Sequence, residues 1–249
     1  PTFSELELAW KENNQTLEIM EKIEVKPVGF SESLYPQSLF DLEDYPLVLF
    51  YQGNMGTLHQ LNGIGVVGTR IPSPEGIKLA AITGSYLARR GYSVISGLAA
   101  GCDSLAHRGC LDEGGYTVAC LPFGHDQLLQ GSGKYLGREI VEQGGLLLSE
   151  YSPGGEVHKR QFIERNRLIS GLSRKIIVIE TGKTGGTLHT VRFAHQQGKP
   201  VGCWHPVDAM QKKTFLPGNR DLVKNPRNIP IQSITDLDRF IFPSDHHHH

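Results

Sequence analysis

The sequence lacks any long hydrophobic run. In its 249 residues the longest apolar stretches, such as KIIVIE at 175–180, fall far short of the roughly 20 residues that a membrane helix needs. No apolar segment typical of a secretory signal precedes the first charges. We therefore expect no membrane association and a cytoplasmic protein. The hydrophobic content of 39% is that of a globular protein with its own core.

Cysteine is scarce, and its spacing carries no motif. The four cysteines, at positions 102, 110, 120 and 203, form no C-x-x-C pair, which excludes a zinc ribbon and a disulfide scaffold. In GCDSLAHRGC at 101–110, Cys102 and Asp103 are adjacent on a predicted helix and point apart, so they do not converge on a metal ion. We expect no metal, with Asp103 capping this helix and His107 hydrogen-bonded within the fold.

An excess of charge of one sign is also missing. The 25 Lys and Arg residues balance 26 Asp and Glu residues, and the net charge is -1. The chain as a whole is therefore not drawn to nucleic acid or to an anionic membrane, and a polyanionic partner must meet a local patch. The closing HHHH at 246–249 is typical of a purification tag, and we leave it out of the fold and metal considerations.

Short β-type runs alternate with helical patterns from Gly63 onward. The candidate strands cover 64–68, 92–97, 116–121, 145–150, 175–180 and 200–204, and the candidate helices cover 74–90, 102–113, 135–143, 161–172 and 187–197. Strict alternation predicts the α/β class: an extended Rossmann-like, doubly wound, mostly parallel sheet with helices on both faces. We expect this domain at 28–245, with a lead-in strand at 47–51 and a partial N-terminal helical appendage at 1–27.

The segment GIGVVG at 63–68 fits the G-x-G-x-x-G fingerprint of dinucleotide-binding proteins, but its context does not. Gly63 and Gly65 precede or lie within the first strand, and only Gly68 falls at its carboxyl end. The second strand ends in Ile-Ser-Gly and lacks the acid that would bind a ribose hydroxyl. We therefore expect no NAD or FAD, and no other cofactor.

The tripeptide GTR at 68–70 lies on the loop after the first strand, at the edge where doubly wound sheets bind ligands. Gly68 allows close backbone approach, Thr69 can donate a hydrogen bond, and Arg70 offers a planar fork suited to phosphate. The tripeptide alone is also compatible with an ordinary strand-to-helix turn that carries a solvated arginine.

Residues 158–175, HKRQFIERNRLISGLSRK, concentrate six Lys and Arg residues against one acid. They follow the strand that ends at Glu150, so they begin at the same edge of the sheet as GTR. Phe162 either offers its ring to a nucleobase or anchors its helix in the core. Arg165 and Arg167 diverge on a helix, so we expect one to face the ligand and the other to pair with the protein.

Six stretches together resemble the DprA/Smf family of DNA-processing proteins. They are VVGTR, SGLAAGCDSLAH, LLLSEYSPG, FIERNRLISGLS, IIVIETGKTGGTLHT and LPGNRDLV, in the family's order over roughly residues 30–240. The resemblance implies a homodimeric Rossmann-like protein that binds single-stranded DNA in a positive pocket. It also implies that the protein helps to load a RecA-type recombinase onto that strand in transformation or recombination.

By motif position, the resemblance implies a set of DNA- or phosphate-binding residues: Gly68, Thr69, Arg70, Lys159, Phe162, Arg165, Asn166, Arg167, Gly185, Gly186 and Thr187. It implies a second set of structural residues near the pocket: Gly97, Gly101, Asp103, His107 and Glu150. The loop at 185–187 opens a helix, so its amides and the helix dipole can hold a phosphate.

Two departures from the family pattern stand out. Ile163 and Glu164 follow Phe162 where the family commonly has proline and a basic or neutral residue, and the acid would weaken the local positive field. The chain also has neither the family's full N-terminal helical domain nor its C-terminal winged helix. We expect the functions housed in those domains to be absent from it.

A second interpretation assigns the same pocket to a small nucleotide. Related Rossmann proteins with GGxGTxxE loops cleave nucleoside monophosphates with that glutamate, but here LHT follows Gly186 and Thr187, and the acid is missing. P-loop and G-x-S-x-G motifs are absent as well. We therefore expect binding and no catalysis. A phosphoribohydrolase-like enzyme is the alternative, and a scaffold that binds a recombinase without DNA affinity is a third.

Overall fold

The computed structural model of the protein describes residues 3–60, 62–131, 133–211 and 214–242. Within these ranges one sheet contains nine strands: β1 (Lys26–Gly29), β2 (Val48–Gly53), β3 (Asn62–Val67), β4 (Tyr92–Ser96), β5 (Thr117–Leu121), β6 (Leu146–Ser149), β7 (Lys175–Val178), β8 (Val201–Trp204) and β9 (Asn228–Ile231). The helices are α1 (Phe3–Lys22), α2 (Met55–Leu58), α3 (Pro74–Arg89), α4 (Cys102–Leu111), α5 (His125–Leu128), α6 (Lys134–Glu142), α7 (Gln161–Glu164), α8 (Asn166–Leu172), α9 (Gly186–Gln196), α10 (Val207–Gln211), α11 (Gly218–Leu222) and α12 (Ile234–Ile241). A 3-10 helix at Gln37–Asp41 precedes β2.

The strand order across the sheet is β1-β2-β6-β5-β4-β3-β7-β8-β9. β1 pairs antiparallel with β2, and β2 pairs antiparallel with β6, whereas the other neighbours are parallel. The chain leaves β3 on one side through β4, β5 and β6, then crosses to the other side of β3 as β7. In a doubly wound sheet a crevice forms where the strand order reverses in this way. Here that point lies between β3 and β7.

Two apolar layers cover the faces of the sheet. Consecutive residues of β3 point to opposite faces, so Val66 packs in the cluster that contains α3, α4 and α12, and Val67 packs in the cluster that contains α8, α9 and the 3-10 helix. A third cluster joins Ile140 of α6 to Leu147 of β6. Burial on both faces explains why these strands are nearly continuous apolar runs in the sequence.

The predicted fold class is confirmed. Each of the six predicted strands and five predicted helical segments is present, with ends within two residues of the prediction. The predicted helix at 161–172 is divided at Arg165 into α7 and α8. The elements that were not predicted are β1, β9, α12, the 3-10 helix and the short helices α2, α5, α10 and α11.

The N-terminal segment joins the sheet through a short strand. α1 lies within the predicted appendage, and β1 spans its predicted boundary at residue 27 and pairs with β2. That domain boundary stays a prediction. The tag at 246–249 and the last residues of the predicted domain, 243–245, lie outside the described residues.

No helix in the described ranges has both the length and the apolar character needed to cross a bilayer.

Candidate functional site

A cavity of about 360 Å³ opens at the carboxyl ends of β3 and β7, at the point where the strand order reverses. Three segments of the chain form it. They are the loop after β3, the helix α7 together with the start of α8, and the loop between β7 and α9. Ten of the residues that the sequence analysis singled out line this cavity: Gly68, Thr69, Arg70, Asp103, Phe162, Arg165, Asn166, Gly185, Gly186 and Thr187.

Backbone hydrogen bonds to neighbouring segments hold the loop after β3 in place. The Thr69 amide donates to the Glu180 carbonyl over 2.7 Å, and the Thr69 carbonyl accepts from the Cys102 amide over 3.1 Å. Gly101 has φ 83°, and a Cβ there would lie 2.4 Å from the Thr69 carbonyl oxygen, so only glycine fits. A Cβ on Gly68 would lie 2.5 Å from the Cys102 sulfur. Gly68 therefore packs against α4, and because it also lines the cavity, the approach of a ligand to its backbone stays a prediction.

Arg70 extends this loop over the rim of the cavity. Its side chain is exposed, and its guanidinium carbon lies 5.9 Å from the centroid of the Phe162 ring, which is half-buried. None of the ion pairs between described residues involves Arg70. Its fork of N–H donors is therefore available to an anion.

Arg165 forms part of the cavity floor. Its Nη1 donates to the Gly97 carbonyl over 2.8 Å and also to the Cys120 carbonyl, and its Nε donates to the Asn166 side chain. The guanidinium lies flat on Gly97, because a Cβ there would be 2.7 Å from its central carbon. Burial lowers the pKa of Arg165, and the nearby Asp103 carboxylate opposes that shift. The floor thus carries a cation that the fold itself positions.

Asp103 does not cap α4, contrary to the expectation. Gly101 occupies the N-cap position, and Oδ2 of Asp103 instead accepts from the Gly97 amide over 3.1 Å. Burial raises the pKa of Asp103, while the Arg165 guanidinium and the amide of Gly97 act in the opposite direction. Asp103 therefore fixes the loop after β4 and stands opposite the buried arginine.

His107 lies behind the cavity and does not line it. Its Nδ1 is 2.6 Å from the Thr117 hydroxyl, which in turn donates to the Val94 carbonyl over 2.8 Å. Burial lowers the pKa of His107 to about 3. Among the described residues, no group of three His, Cys, Asp or Glu side chains is placed to hold a metal ion.

Arg167 lies outside the cavity, which corrects its assignment to the phosphate-binding set. Its Nη1 and Nη2 each lie 2.7 Å from the Glu150 carboxylate, and its Nε lies 2.9 Å from the Asp44 carboxylate. The side chain is only 7% exposed. These contacts occupy the guanidinium, so Arg167 joins α8 to the end of β6, and Glu150 acts as its partner.

Lys159 is exposed and precedes α7, and it is not part of the cavity lining. It lies three positions before Phe162, so their Cα atoms are at most about 11 Å apart. Its amine therefore belongs to the same edge of the sheet. The acid expected to weaken the field here, Glu164, contacts Arg160 and accepts from the Tyr151 hydroxyl over 3.0 Å.

The third loop ends at the N-terminus of α9. Gly185 has φ 129°, and a Cβ on Gly185 or Gly186 would meet no atom of the protein within 4 Å. Within the part of the chain that the structure describes, the amides of Thr184, Gly185 and Gly186 have no acceptor, and the first turn of α9 contains no acid. Free amides and the positive end of a helix dipole attract an anion. Asn166 ties α8 to this loop through the Gly186 carbonyl, over 3.3 Å.

The sequence analysis missed several residues at or beside the site, among them Thr184, which lines the cavity, and Glu180 and Phe123, which support it. Glu180, fully buried after β7, accepts from the amide and hydroxyl of Ser73 and from the Leu216 amide. An acid at the end of the apolar run KIIVIE was its visible signal. Phe123 packs edge-on to Phe162 with the ring centroids 6.2 Å apart. It had no signal in the sequence, because the contact joins distant segments.

The sequence of the chain matches a known protein family and several curated proteins. The family model described as DNA recombination-mediator protein A matches residues 26–240. The chain is 36% identical over 170 residues to Protein Smf of Synechocystis, an alignment that covers 67% of this chain and 42% of that protein. It is 36% identical over 170 residues to the DNA processing protein DprA of Streptococcus pneumoniae, which covers 68% of this chain and 59% of that protein. The chain thus spans about half the length of the curated relatives it matches.

Solved structures share the fold. The X-ray structure of DprA from Streptococcus pneumoniae superposes with a TM-score of 0.72 at 31% identity, over 85% of this chain and 72% of that chain. DNA processing protein A from Helicobacter pylori superposes with a TM-score of 0.77 at 24% identity, over 88% of this chain and 96% of that chain.

Proposed function

The chain belongs to the DNA recombination-mediator protein A family, and on that basis we propose that its cavity binds single-stranded DNA. The observation that carries the proposal is the convergence of three kinds of anion-binding group at one cavity. They are the unpaired fork of Arg70, the buried cation of Arg165 and the free amides that begin α9.

The phosphates of the strand are the main ligands in this proposal. The amides of Thr184 to Gly186 and the fork of Arg70 lie around one cavity, so they can hold neighbouring phosphate oxygens. Lys159 adds an exposed cation beyond the rim. Because the net charge of the chain is only -1, this local cluster rather than the whole-molecule field supplies the attraction.

Phe162 supplies the second part of the proposal. Its ring is half-buried and lines the cavity beside Arg70, so part of it remains open to a nucleobase. Stacking of a base on such a ring contributes about 1–3 kcal/mol and tolerates any sequence. A duplex keeps its bases stacked inside, so this contact favours a single strand.

The cavity acts in this proposal by binding and without catalysis. The one carboxylate in its lining, Asp103, accepts from the Gly97 amide and stands near Arg165, so it is engaged in supporting the floor. Release of a free base from a nucleoside monophosphate would assign the cavity to hydrolysis instead.

The wider role is proposed from the family. The Helicobacter pylori protein has a single-stranded DNA binding mode, and the cavity of this chain supports the same ligand through its own residues. We extend the proposal to a homodimer that loads a RecA-type recombinase onto the bound strand. Sedimentation of the purified protein tests the dimer, and co-precipitation of the recombinase with and without oligo-dT tests the partner.

Fluorescence anisotropy with labelled oligo-dT and with a duplex of equal length, each at several salt concentrations, tests the DNA proposal. We expect the single strand to bind more tightly. We also expect the logarithm of its affinity to fall with the logarithm of salt concentration by about 0.7 per phosphate contact. Equal affinity for both probes, or an affinity that does not depend on salt, would overturn the proposal.

A further inference from the structure

The C-terminal part of the chain carries a second concentration of positive charge. Residues 181–235 contain eight Lys and Arg residues, two Asp residues and no Glu, although the net charge of the whole chain is -1. These cations are dispersed along the sequence, so no basic run reveals them. The fold brings several of them together on one surface beside α9.

A groove of about 610 Å³ lies on this surface. Its first wall is α9, which contributes residues between 188 and 196, a length of about 12 Å at about 1.5 Å per residue. Its second wall is the end of α11 and the turn before β9, which contribute residues between 221 and 228. The side chains of Leu188, Val191 and Leu222 give this groove, the α9 groove, an apolar lining.

Hydrogen bonds fix the two walls of the α9 groove relative to each other. Nε2 of His195 in α9 lies 2.8 Å from Oδ1 of Asn228, and Nδ2 of Asn228 donates to the Leu222 carbonyl over 2.8 Å. Asn228 is only 4% exposed, so these contacts are built into the fold. The groove is therefore a fixed feature of the surface, and a ligand does not have to open it.

One arginine stands on each wall of the α9 groove. Arg192 belongs to α9 and Arg227 to the turn before β9, and both are exposed. Neither has a carboxylate partner among the residues that the structure describes. Nη2 of Arg192 lies 3.0 Å from Nδ1 of His189, a contact that brings no negative charge to it. The two guanidinium groups can therefore bind phosphate oxygens.

The acid that lines the α9 groove, Asp221, is compensated by cations. It accepts from the Lys224 amine over 2.9 Å, and this contact is the main cause of the lowered pKa of its carboxyl group. Lys183 and Arg220 act on that pKa in the same direction. A single carboxylate thus stands among three cations, and the potential of the groove stays positive.

The α9 groove begins where the first cavity ends. Thr187 lines the cavity and Leu188 lines the groove, and both belong to the first turn of α9. Lys183, on the loop whose amides begin this helix, is close enough to Asp221 to lower its pKa. One polyanion can therefore pass from the amides of Thr184 to Gly186 into the groove. This continuity favours the strand held in the cavity over a separate acidic protein segment as the occupant.

We propose that the α9 groove binds phosphates of the single strand beyond those that the first cavity holds, with Arg192 and Arg227 as the contacting residues. This proposal rests on the proposed function, because the strand must already be held in the first cavity. A positive groove that follows the backbone is a common way to extend the contact of a protein with a single strand. The strand then leaves the cavity along α9, toward the β9 edge of the sheet.

The test measures fluorescence anisotropy with labelled oligo-dT of two lengths, about 6 and about 16 nucleotides, which lie within the range of site sizes of single-strand-binding domains. The short strand fits the first cavity, and the long strand reaches the α9 groove as well. Arg192→Gln combined with Arg227→Gln removes both charges of the groove. Arg89→Gln combined with Arg138→Gln is the matched control, because both arginines are exposed and line neither the cavity nor the groove.

In the parent protein we expect the slope of log affinity against log salt to be steeper for the long strand by about 1.4, twice the value of about 0.7 for one phosphate contact. The groove variant, which lacks Arg192 and Arg227, should lose this difference and bind the short strand as the parent does. The control variant has the same change in net charge and should keep the difference. Thermal unfolding of each variant confirms that it is folded.

Equal slopes for the two lengths in the parent protein would overturn the groove proposal and leave the proposed function standing. An equal loss in the groove variant and the control, or a loss that affects the short strand as much as the long one, would overturn it too. If the groove variant loses binding of labelled polyglutamate and keeps the full affinity for the long strand, the groove belongs to an acidic protein segment and the proposal is wrong. If neither strand binds in a salt-dependent way, the proposed function itself fails, and the groove proposal fails with it.

Discussion

Oε2 of Glu180 accepts two hydrogen bonds from Ser73, one from its amide over 2.8 Å and one from its hydroxyl over 3.0 Å. The same hydroxyl accepts from the Gly76 amide and caps α3. Oε1 of Glu180 accepts from the Leu216 amide over 2.6 Å. One buried carboxylate thus joins the end of β7, the start of α3 and the segment before α11. The loop that carries Arg70 is therefore tied to Glu180 at both ends, because the Thr69 amide also donates to the Glu180 carbonyl.

We predict that Glu180→Gln destabilises the protein by about 1–3 kcal/mol, because the amide that replaces one carboxylate oxygen faces N–H donors and leaves them unsatisfied. The affinity for oligo-dT should fall as well, since the loop of residues 69–73 loses its anchor. Urea unfolding and anisotropy measure the two effects. The control is Glu142→Gln, which removes an exposed i,i+4 ion pair with Arg138 and should change stability by less than about 0.5 kcal/mol. Equal stabilities of the two variants would contradict the prediction.

The sequence predicts the six parallel strands β3 to β8 well, because each of them is buried on both faces and reads as a short apolar run between helical patterns. β1 and β9 could not be recognised from this pattern. They are four residues long, contain proline and lie at the edges of the sheet, so neither alternation nor a continuous apolar run marks them. The division of 161–172 at Arg165 also has no local signal, because contacts with distant residues hold the buried guanidinium in place.

The residues of the site likewise divide into those that the sequence predicts and those that it does not. The carboxyl-edge rule places the loops that contain Arg70, Phe162 and Gly186 correctly at one cavity, since that rule depends on topology alone. It cannot tell which arginine of a basic segment is free. Arg167 finds its partners in Asp44 and Glu150, which are far from it in sequence.

We predict that Arg70→Ala weakens the binding of oligo-dT and lowers the slope of log affinity against log salt by about 0.7, the value for one phosphate contact. Arg174→Ala is the control. Arg174 is an exposed arginine of the same basic segment, but it precedes β7 and so lies at the opposite edge of the sheet from the cavity. Its removal should leave the slope unchanged. If the slope of log affinity against log salt falls equally in both variants, the strand is attracted by the overall positive charge of the segment and is not bound in a pocket.

We predict that Arg167 affects stability and has no direct effect on binding. Arg167→Ala leaves the Glu150 carboxylate, which is 24% exposed, without its partner. Loss of one member of a buried pair costs about 3–5 kcal/mol, and the partial exposure of Glu150 lowers our expectation to about 2–3 kcal/mol. Arg167→Lys keeps the charge but not the planar fork of N–H donors. Its free energy of unfolding should therefore lie between those of Arg167→Ala and the parent. Urea unfolding measures these differences.

The salt dependence of oligo-dT binding supplies the second readout for Arg167. At a temperature where the Arg167→Ala protein is folded, its slope should equal that of the parent, because the guanidinium touches no ligand. If the salt dependence of Arg167→Ala is lower than that of the parent by the value for one phosphate contact, and its stability is unchanged, Arg167 binds a phosphate after all.

We predict that acid destabilises the protein partly through His107. Burial lowers its folded-state pKa to about 3, whereas an unfolded histidine titrates near about 6.5. The unfolded state therefore binds the proton first. The stability that His107 contributes is complete above about pH 6.5 and is lost as the pH falls toward 3. His125, whose pKa burial lowers to about 4, adds a parallel loss.

Urea unfolding across this pH range measures the effect. In the parent protein, each of these histidines contributes at most about 1.4 kcal/mol per pH unit to the slope of unfolding free energy against pH. His107→Gln removes a titrating group while keeping a polar side chain near the Thr117 hydroxyl, so its slope should be flatter by up to that amount. His158→Gln, at an exposed position, is the control and should keep the slope of the parent. If His107→Gln keeps the full slope, the acid sensitivity arises elsewhere in the fold, and His107 is not held neutral by its burial.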